Sequence, residues 1–139
     1  LLIMMISNLI INGIVFNGSI AANEEANREL ILASPFLSVF LAVFLAPFVE
    51  EITFRYGLRK IFKNVWFYAI VSGFIFGFLH AISGIESAKD MLDLLYIIPY
   101  GSLGFAFSVI YYKTDNIWVN IFVHTLHNAI VYSLLILFA

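Results

Sequence analysis

The chain has 139 residues, 63% of them hydrophobic and 12% charged, with a net charge of -2 at neutral pH. Soluble domains carry about 25% charged and 45–50% apolar residues, so a chain this short and this apolar needs lipid as the solvent for most of its surface. The negative balance argues against a nucleic-acid partner, which would want a basic patch, and the lack of cysteine excludes disulfides, thiolate metal sites and a cysteine nucleophile.

Apolar runs of membrane-crossing length, about 20 residues, follow one another along the chain. Leu1–Phe16 carries Asn8 and Asn12 and reads as the end of a membrane helix, so the chain is expected to be a piece of a longer protein. Asn17–Glu29 is a polar loop with Glu24, Glu25, Arg28 and Glu29. Leu30–Val49 is nearly uncharged and then meets Glu50, Glu51 and Arg55. Val65–Ile85 holds His80, and Leu92–Tyr112 holds Pro99, Gly101 and Gly104. The last run, Ile117–Ala139, contains Asn120, His124, His127 and Asn128. The expectation is an all-α, polytopic transmembrane helical bundle of about five helices, the first partial. It forms one membrane-embedded unit over residues 1–139, with residues 30–139 as the core that carries the polar motifs.

Charge placement sets an orientation. If the helices alternate, Arg55, Arg59, Lys60, Lys63 and Lys113 fall on one side. Arg28 and Lys89 fall on the other, with Glu24, Glu25, Glu29, Glu86, Asp90 and Asp93. The positive-inside rule then puts the Arg59–Asn64 and Lys113–Asn116 turns in the cytoplasm of a multi-pass cell-membrane protein.

The run Glu50-Glu51-Ile52-Thr53-Phe54-Arg55 is the strongest chemical signal. A charged residue at a membrane-helix centre costs roughly 2.5–3.5 kcal/mol, so three together demand pairing. Glu51 and Arg55 are four apart and face one another on a helix, which suits an ion pair. Glu50 points elsewhere, about 140° round from Arg55, and is left to do chemistry. The bland alternative ends the helix near Val49 and leaves these charges at a solvated interface. Depth argues for the first. Glu50 lies 13 residues before Lys63, and His80 lies 16 after Asn64 on the returning helix, so their depths agree within about 5 Å.

In the last run Asn120, His124 and Asn128 recur every fourth residue and share a face, with His127 about 60° from His124. Interhelical packing through hydrogen bonds accounts for Asn120 as well as function does. An imidazole beside an amide in His124 and Asn128 favours function. Gly101, Gly104 and Ser108 are small residues suited to close helix approach.

Glu50-Glu51-Ile52-Thr53-Phe54-Arg55, Phe76-Gly77-Phe78-Leu79-His80 and His124-Thr125-Leu126-His127-Asn128 resemble E-E-x-x-x-R, F-x-x-x-H and H-x-x-x-N. These are motifs of the CAAX-processing and bacteriocin-processing (CPBP, or Abi) intramembrane proteases. The resemblance runs from about Pro47 to Val131 and includes the turn Tyr111-Tyr112-Lys113-Thr114-Asp115-Asn116. Tyr56 stands where the family often has glycine after the arginine, with Gly57 one place later. The resemblance implies a glutamate-type endopeptidase cutting a peptide or protein substrate in or at the membrane near its cytoplasmic face. It implies that Glu50 and His80 activate a water, that His124 and Asn128 stabilise the oxyanion, and that Glu51 and Arg55 support them. No cofactor is expected. Zinc is the alternative, with Glu50, His80 and His124 as its ligands, although no H-E-x-x-H pair is present. A non-enzymatic membrane protein, either a proton-coupled transporter fragment or an immunity or scaffold protein, is the other functional class.

Overall fold

The computed structural model describes residues 2–15, 22–83 and 88–137, with side chains for all of these except 22–24 and 88–91. Phe16, residues 17–21 of the expected polar loop, Ile85, Glu86 and Ala139 lie outside the described residues, as do the side chains of Glu24, Lys89 and Asp90. The described chain is all-α. Four helices are long and apolar enough to cross a membrane, and Leu2–Val15 is a shorter apolar one. In chain order they are α1 (Leu2–Val15), the polar α2 (Ala22–Ala33), α3 (Pro35–Gly57), α4 (Val65–Ile82), a 3-10 segment Ala88–Tyr96, α5 (Ile97–Thr114) and α6 (Ile117–Leu137). The 3-10 segment and α5 together supply the span Leu92–Thr114.

Local chemistry explains the breaks. Ser34 leaves helical geometry at φ -155 and ψ 82, and Pro35 starts α3 at the position where a missing N–H costs nothing. Asn64 caps α4, its side-chain oxygen accepting from the N–H groups of Trp66 and Phe67 at 2.9 and 3.0 Å. Asp115 closes α5 in the left-handed region (φ 47), with its N–H donating to the Tyr111 carbonyl at 2.9 Å. Asn116 then accepts from the N–H of Trp118 and opens α6.

One expected boundary moves. The apolar run Leu30–Val49 splits between α2 and α3, and α3 runs on through Glu50, Glu51 and Arg55 to Gly57. The helix therefore does not end near Val49, and the three charges sit inside it rather than beyond its end. The helix manages this with two π-turn segments, Phe40–Leu45 and Glu51–Gly57. A π-turn shifts the register of the backbone ladder and leaves carbonyls for other donors, a feature concentrated at functional sites. Ser72 Oγ donates to the Phe54 carbonyl at 3.0 Å, Tyr68 Oη to that of Arg55 at 3.2 Å, and Asn128 Nδ2 to that of Ala42 at 2.8 Å. Side chains from neighbouring helices thus satisfy backbone that lipid cannot.

The α4–α5 pair is the closest contact in the bundle. A Cβ placed on Gly77 would meet the Gly101 nitrogen and the Ile97 oxygen at 2.6 Å, and one on Gly73 would meet the Gly101 oxygen at 2.8 Å. The small-residue role expected of Gly101 and Gly104 is borne out, with Gly73 and Gly77 as their counterparts. Ser108 donates to the Gly104 carbonyl and lies 2.9 Å from Ser72 Oγ across the same interface. Large apolar side chains such as Phe36, Phe74, Trp118 and Phe122 are exposed outward, as suits a lipid solvent. Polar groups are collected inside, around α3.

Candidate functional site

Glu51 is fully buried and organises the interior. One of its oxygens, Oε2, lies 3.3 Å from Arg55 Nε, four residues on in the same helix. Asn120 Nδ2, from α6, donates to the same oxygen at 2.5 Å. The other oxygen, Oε1, lies 2.8 Å from His124 Nδ1. Arg55 is itself fully buried, with its guanidinium 4.5 Å from the Phe76 ring centroid and 5.4 Å from that of Phe107. Its Nη2 donates to the Gly104 carbonyl at 3.4 Å. Charge, cation–π contact and hydrogen bonds together offset the cost of placing this pair away from water.

Glu50 points away from that pair, as its place on the helix predicts. Its Oε1 lies 3.8 Å from His80 Nε2 and its Oε2 lies 3.7 Å from His124 Nε2. These separations exceed a direct hydrogen bond, yet one water can bond the carboxylate and an imidazole together at about 2.8 Å from each. His80 Nδ1 lies 2.9 Å from the Phe76 carbonyl one turn earlier in α4, so Nδ1–H donates there and Nε2 remains for Glu50. The depth match inferred for Glu50 and His80 therefore brings them face to face.

The polar stripe on α6 divides among partners. Asn120 and His124 converge on Glu51, whereas Asn128 donates to the Ala42 carbonyl in the first π-turn of α3. His124 and Asn128 line one cavity, but their hydrogen bonds are made to different segments of α3. One Nδ2 proton of Asn128 is committed to Ala42, which leaves its second for anything in the cavity. His127 also lines the cavity, 6.2 Å between ring centroids from Phe107.

Aromatic rings pave the site. Phe76 lies 4.2 Å from the His80 ring, Tyr100 lies 5.0 Å from it on the opposite helix, and Phe107 lies 4.6 Å from His124. Phe107 and Tyr100 were not legible as site residues. Phe107 is one of 15 phenylalanines, and no spacing separates it from the lipid-facing ones. Arg55 is buried in its ion pair rather than lying in a loop, which leaves Arg59, Lys60, Lys63 and Lys113 on that side against Arg28 and Lys89. Asp93 is likewise buried rather than in a loop.

A cavity of about 1150 Å³ opens from Glu50, His80 and His124 and extends along α6 to Tyr132 and Leu135, with Met4 and Asn8 of α1 across from them. Its lining is mostly apolar but includes Asn8, Asn12, Asn27, Arg28 and Tyr132 as well as the polar group around Glu50. Carboxylate, imidazoles and amide gathered there can take a proton from water and give hydrogen bonds to a developing anion. Among the described residues no three His, Asp or Glu side chains are grouped to hold a metal ion.

The family model described as "Type II CAAX prenyl endopeptidase Rce1-like" matches residues 32–130. The chain is 32% identical over 117 residues to a Bacillus subtilis (strain 168) protein named "Putative membrane peptidase YdiL", an alignment covering 82% of this chain. It spans 43% of that relative's length. No solved structure matches this chain.

Proposed function

The chain belongs to the Rce1-like family of type II CAAX prenyl endopeptidases, and from that premise we propose that it is the core of a glutamate-type intramembrane endopeptidase of the cell membrane. Its substrate is a peptide or protein in or at the membrane, cut near the cytoplasmic face. The carrying observation is the convergence of His80 Nε2 and His124 Nε2 on the two oxygens of Glu50, at 3.8 and 3.7 Å, between helices of membrane length. Glu50, with His80, takes the proton of a water as it attacks the scissile carbonyl. The uncommitted N–H of Asn128, and His124 once its Nε2 carries a proton, hold the oxyanion that forms. Glu51 and Arg55 support this arrangement, and the largely apolar cavity holds the membrane-embedded part of the substrate. This chemistry needs no metal, because an acid, imidazoles and an amide supply base, acid and donors.

The test is hydrolysis of membrane-anchored peptides, with and without a lipidated C-terminus, by purified protein in detergent and in vesicles. Cleavage that disappears in Glu50→Gln supports the proposal. Vesicles that move protons without cutting any peptide point to the transporter class instead. Elemental analysis should find less than one equivalent of zinc, and activity should survive a strong chelator. Activity lost to the chelator and restored by zinc but not by magnesium overturns the metal-free mechanism.

A further inference from the structure

We propose that Asn120 is a positioning residue: with Arg55 it holds one oxygen of Glu51, so that the other takes the Nδ1–H of His124 and turns Nε2 toward Glu50. This inference rests on the endopeptidase function above and adds a residue and a device to it.

Asn120 is fully buried, and among the described residues its Oδ1 has no hydrogen-bond partner. An asparagine that served only to join helices would be expected to use both ends of its amide. Here Nδ2 alone is engaged, on Glu51 Oε2 at 2.5 Å. Arg55 reaches that same oxygen at 3.3 Å, but its Nε–H is not aligned for a hydrogen bond. Arg55 thus supplies charge, and Asn120 supplies direction. With Oε2 fixed, the carboxylate plane is fixed, and Oε1 comes to rest 2.8 Å from His124 Nδ1.

The hydrogen bond made by one ring nitrogen decides which tautomer the other presents. Nδ1–H on Glu51 leaves Nε2 of the neutral ring with its lone pair aimed at Glu50, 3.7 Å away. Nε2 becomes a donor to the oxyanion once it receives the proton that Glu50 took from the attacking water. That transfer returns Glu50 to a carboxylate and makes His124 an imidazolium whose charge Glu51 balances. Collapse of the intermediate breaks the C–N bond, and the leaving amine takes this proton. Without Asn120 the Glu51 carboxylate can rotate, and His124 is free to populate the other tautomer.

The proton position is read directly from two-bond ¹⁵N–¹H spectra of ¹⁵N-histidine-labelled protein in detergent, with His124 assigned by its loss in His124→Ala. The wild type should carry the His124 proton on Nδ1. Asn120→Leu, near in size but without a donor, and Asn120→Ala, which removes the donor without crowding, should each give a mixture of tautomers. Their kcat should fall about 10- to 100-fold, as for loss of a residue that orients a functional imidazole, with KM within about twofold. A wild-type His124 protonated on Nε2 overturns the proposal without any variant. So does an unchanged His124 spectrum in an Asn120 variant, or a changed one with full kcat. Wild-type protein that cleaves nothing while the Asn120 variants still lose the Nδ1–H tautomer sinks the endopeptidase function and supports the positioning.

Discussion

Glu50 and Glu51 are neighbours in sequence and face different tasks. Glu51 is fully buried against Arg55, Asn120 and His124, whereas Glu50 is partly open to the cavity and lies beyond direct hydrogen-bonding range of its imidazoles. Glu50→Gln should therefore abolish cleavage while membrane accumulation and thermal unfolding stay normal; near wild-type turnover in detergent would remove Glu50 from the base role. Glu51→Gln strands a buried guanidinium, and breaking such a pair costs about 3–5 kcal/mol. Its unfolding transition in detergent should drop accordingly, which Glu50→Gln should not reproduce. On α6 the contrast lies among His124, His127 and Asn128. Removing one oxyanion donor costs about 100- to 1000-fold in turnover, so His124→Ala and Asn128→Ala should fall in or beyond that range with little change in apparent substrate binding. His127→Ala should lose less than about tenfold, since its ring borders Phe107 and the cavity without contacting Glu50 or Glu51 among the described interactions. A dead His127→Ala beside a mild His124→Ala would reverse the assignment.

At the scale of the element, α4 carries His80 and is held against α5 by glycine contacts. The site geometry depends on how closely those two helices approach. Gly77 has no room for a methyl group, because the atoms at 2.6 Å are α5 backbone that cannot swing aside. Gly77→Ala should force the pair apart and lower stability by about 1–3 kcal/mol, the usual range for overpacking. It should also reduce cleavage by displacing His80 from Glu50. Gly57 is the control: an added Cβ there meets only the Ile52 oxygen at 3.5 Å, an ordinary contact. Parallel thermal unfolding of Gly77→Ala and Gly57→Ala decides the matter, and equal transitions would mean that the close approach is not what holds α4 in place.

For the molecule as a whole, the question is which end of the bundle meets the cytoplasm. Arg59, Lys60, Lys63 and Lys113 cluster at the ends of α3 and α5. There Arg59 lies over the Tyr112 ring at 4.3 Å and Lys60 donates to Tyr56 Oη at 2.9 Å. Basic residues on short loops are retained in the cytoplasm, and aromatic rings favour the interface. Single cysteines placed in the Arg59–Asn64 and Lys113–Asn116 turns should resist an impermeant thiol reagent in intact cells. One placed in Ala21–Ala26 should react. The reverse pattern would invert the orientation and put Glu50 in the outer half of the bilayer.

By itself the sequence determined the solvent, the element type and the roster of chemical groups. Apolar runs of bilayer length allow only helices or closed barrels, and four such runs beside a shorter one, with helical spacing of their polar residues, leave helices. Residue spacing within one helix was equally legible, since a four-residue separation fixes Glu51 against Arg55 whatever the neighbours do. The depth of His80 followed from the rise per residue. The tertiary structure decided what rise and periodicity do not encode, namely how each helix is rotated about its axis and where backbone register slips. The π-turns of α3 were invisible in Phe40–Leu45 and Glu51–Gly57 because the side chains that meet their displaced carbonyls, Asn128 for the first and Tyr68 and Ser72 for the second, come from other helices. For the same reason Asn120, which spacing placed on a face with His124 and Asn128, takes its meaning from Glu51 on another helix. Bonds within one helix follow from spacing along the chain; bonds between helices depend on packing, which the chain's own periodicity leaves open.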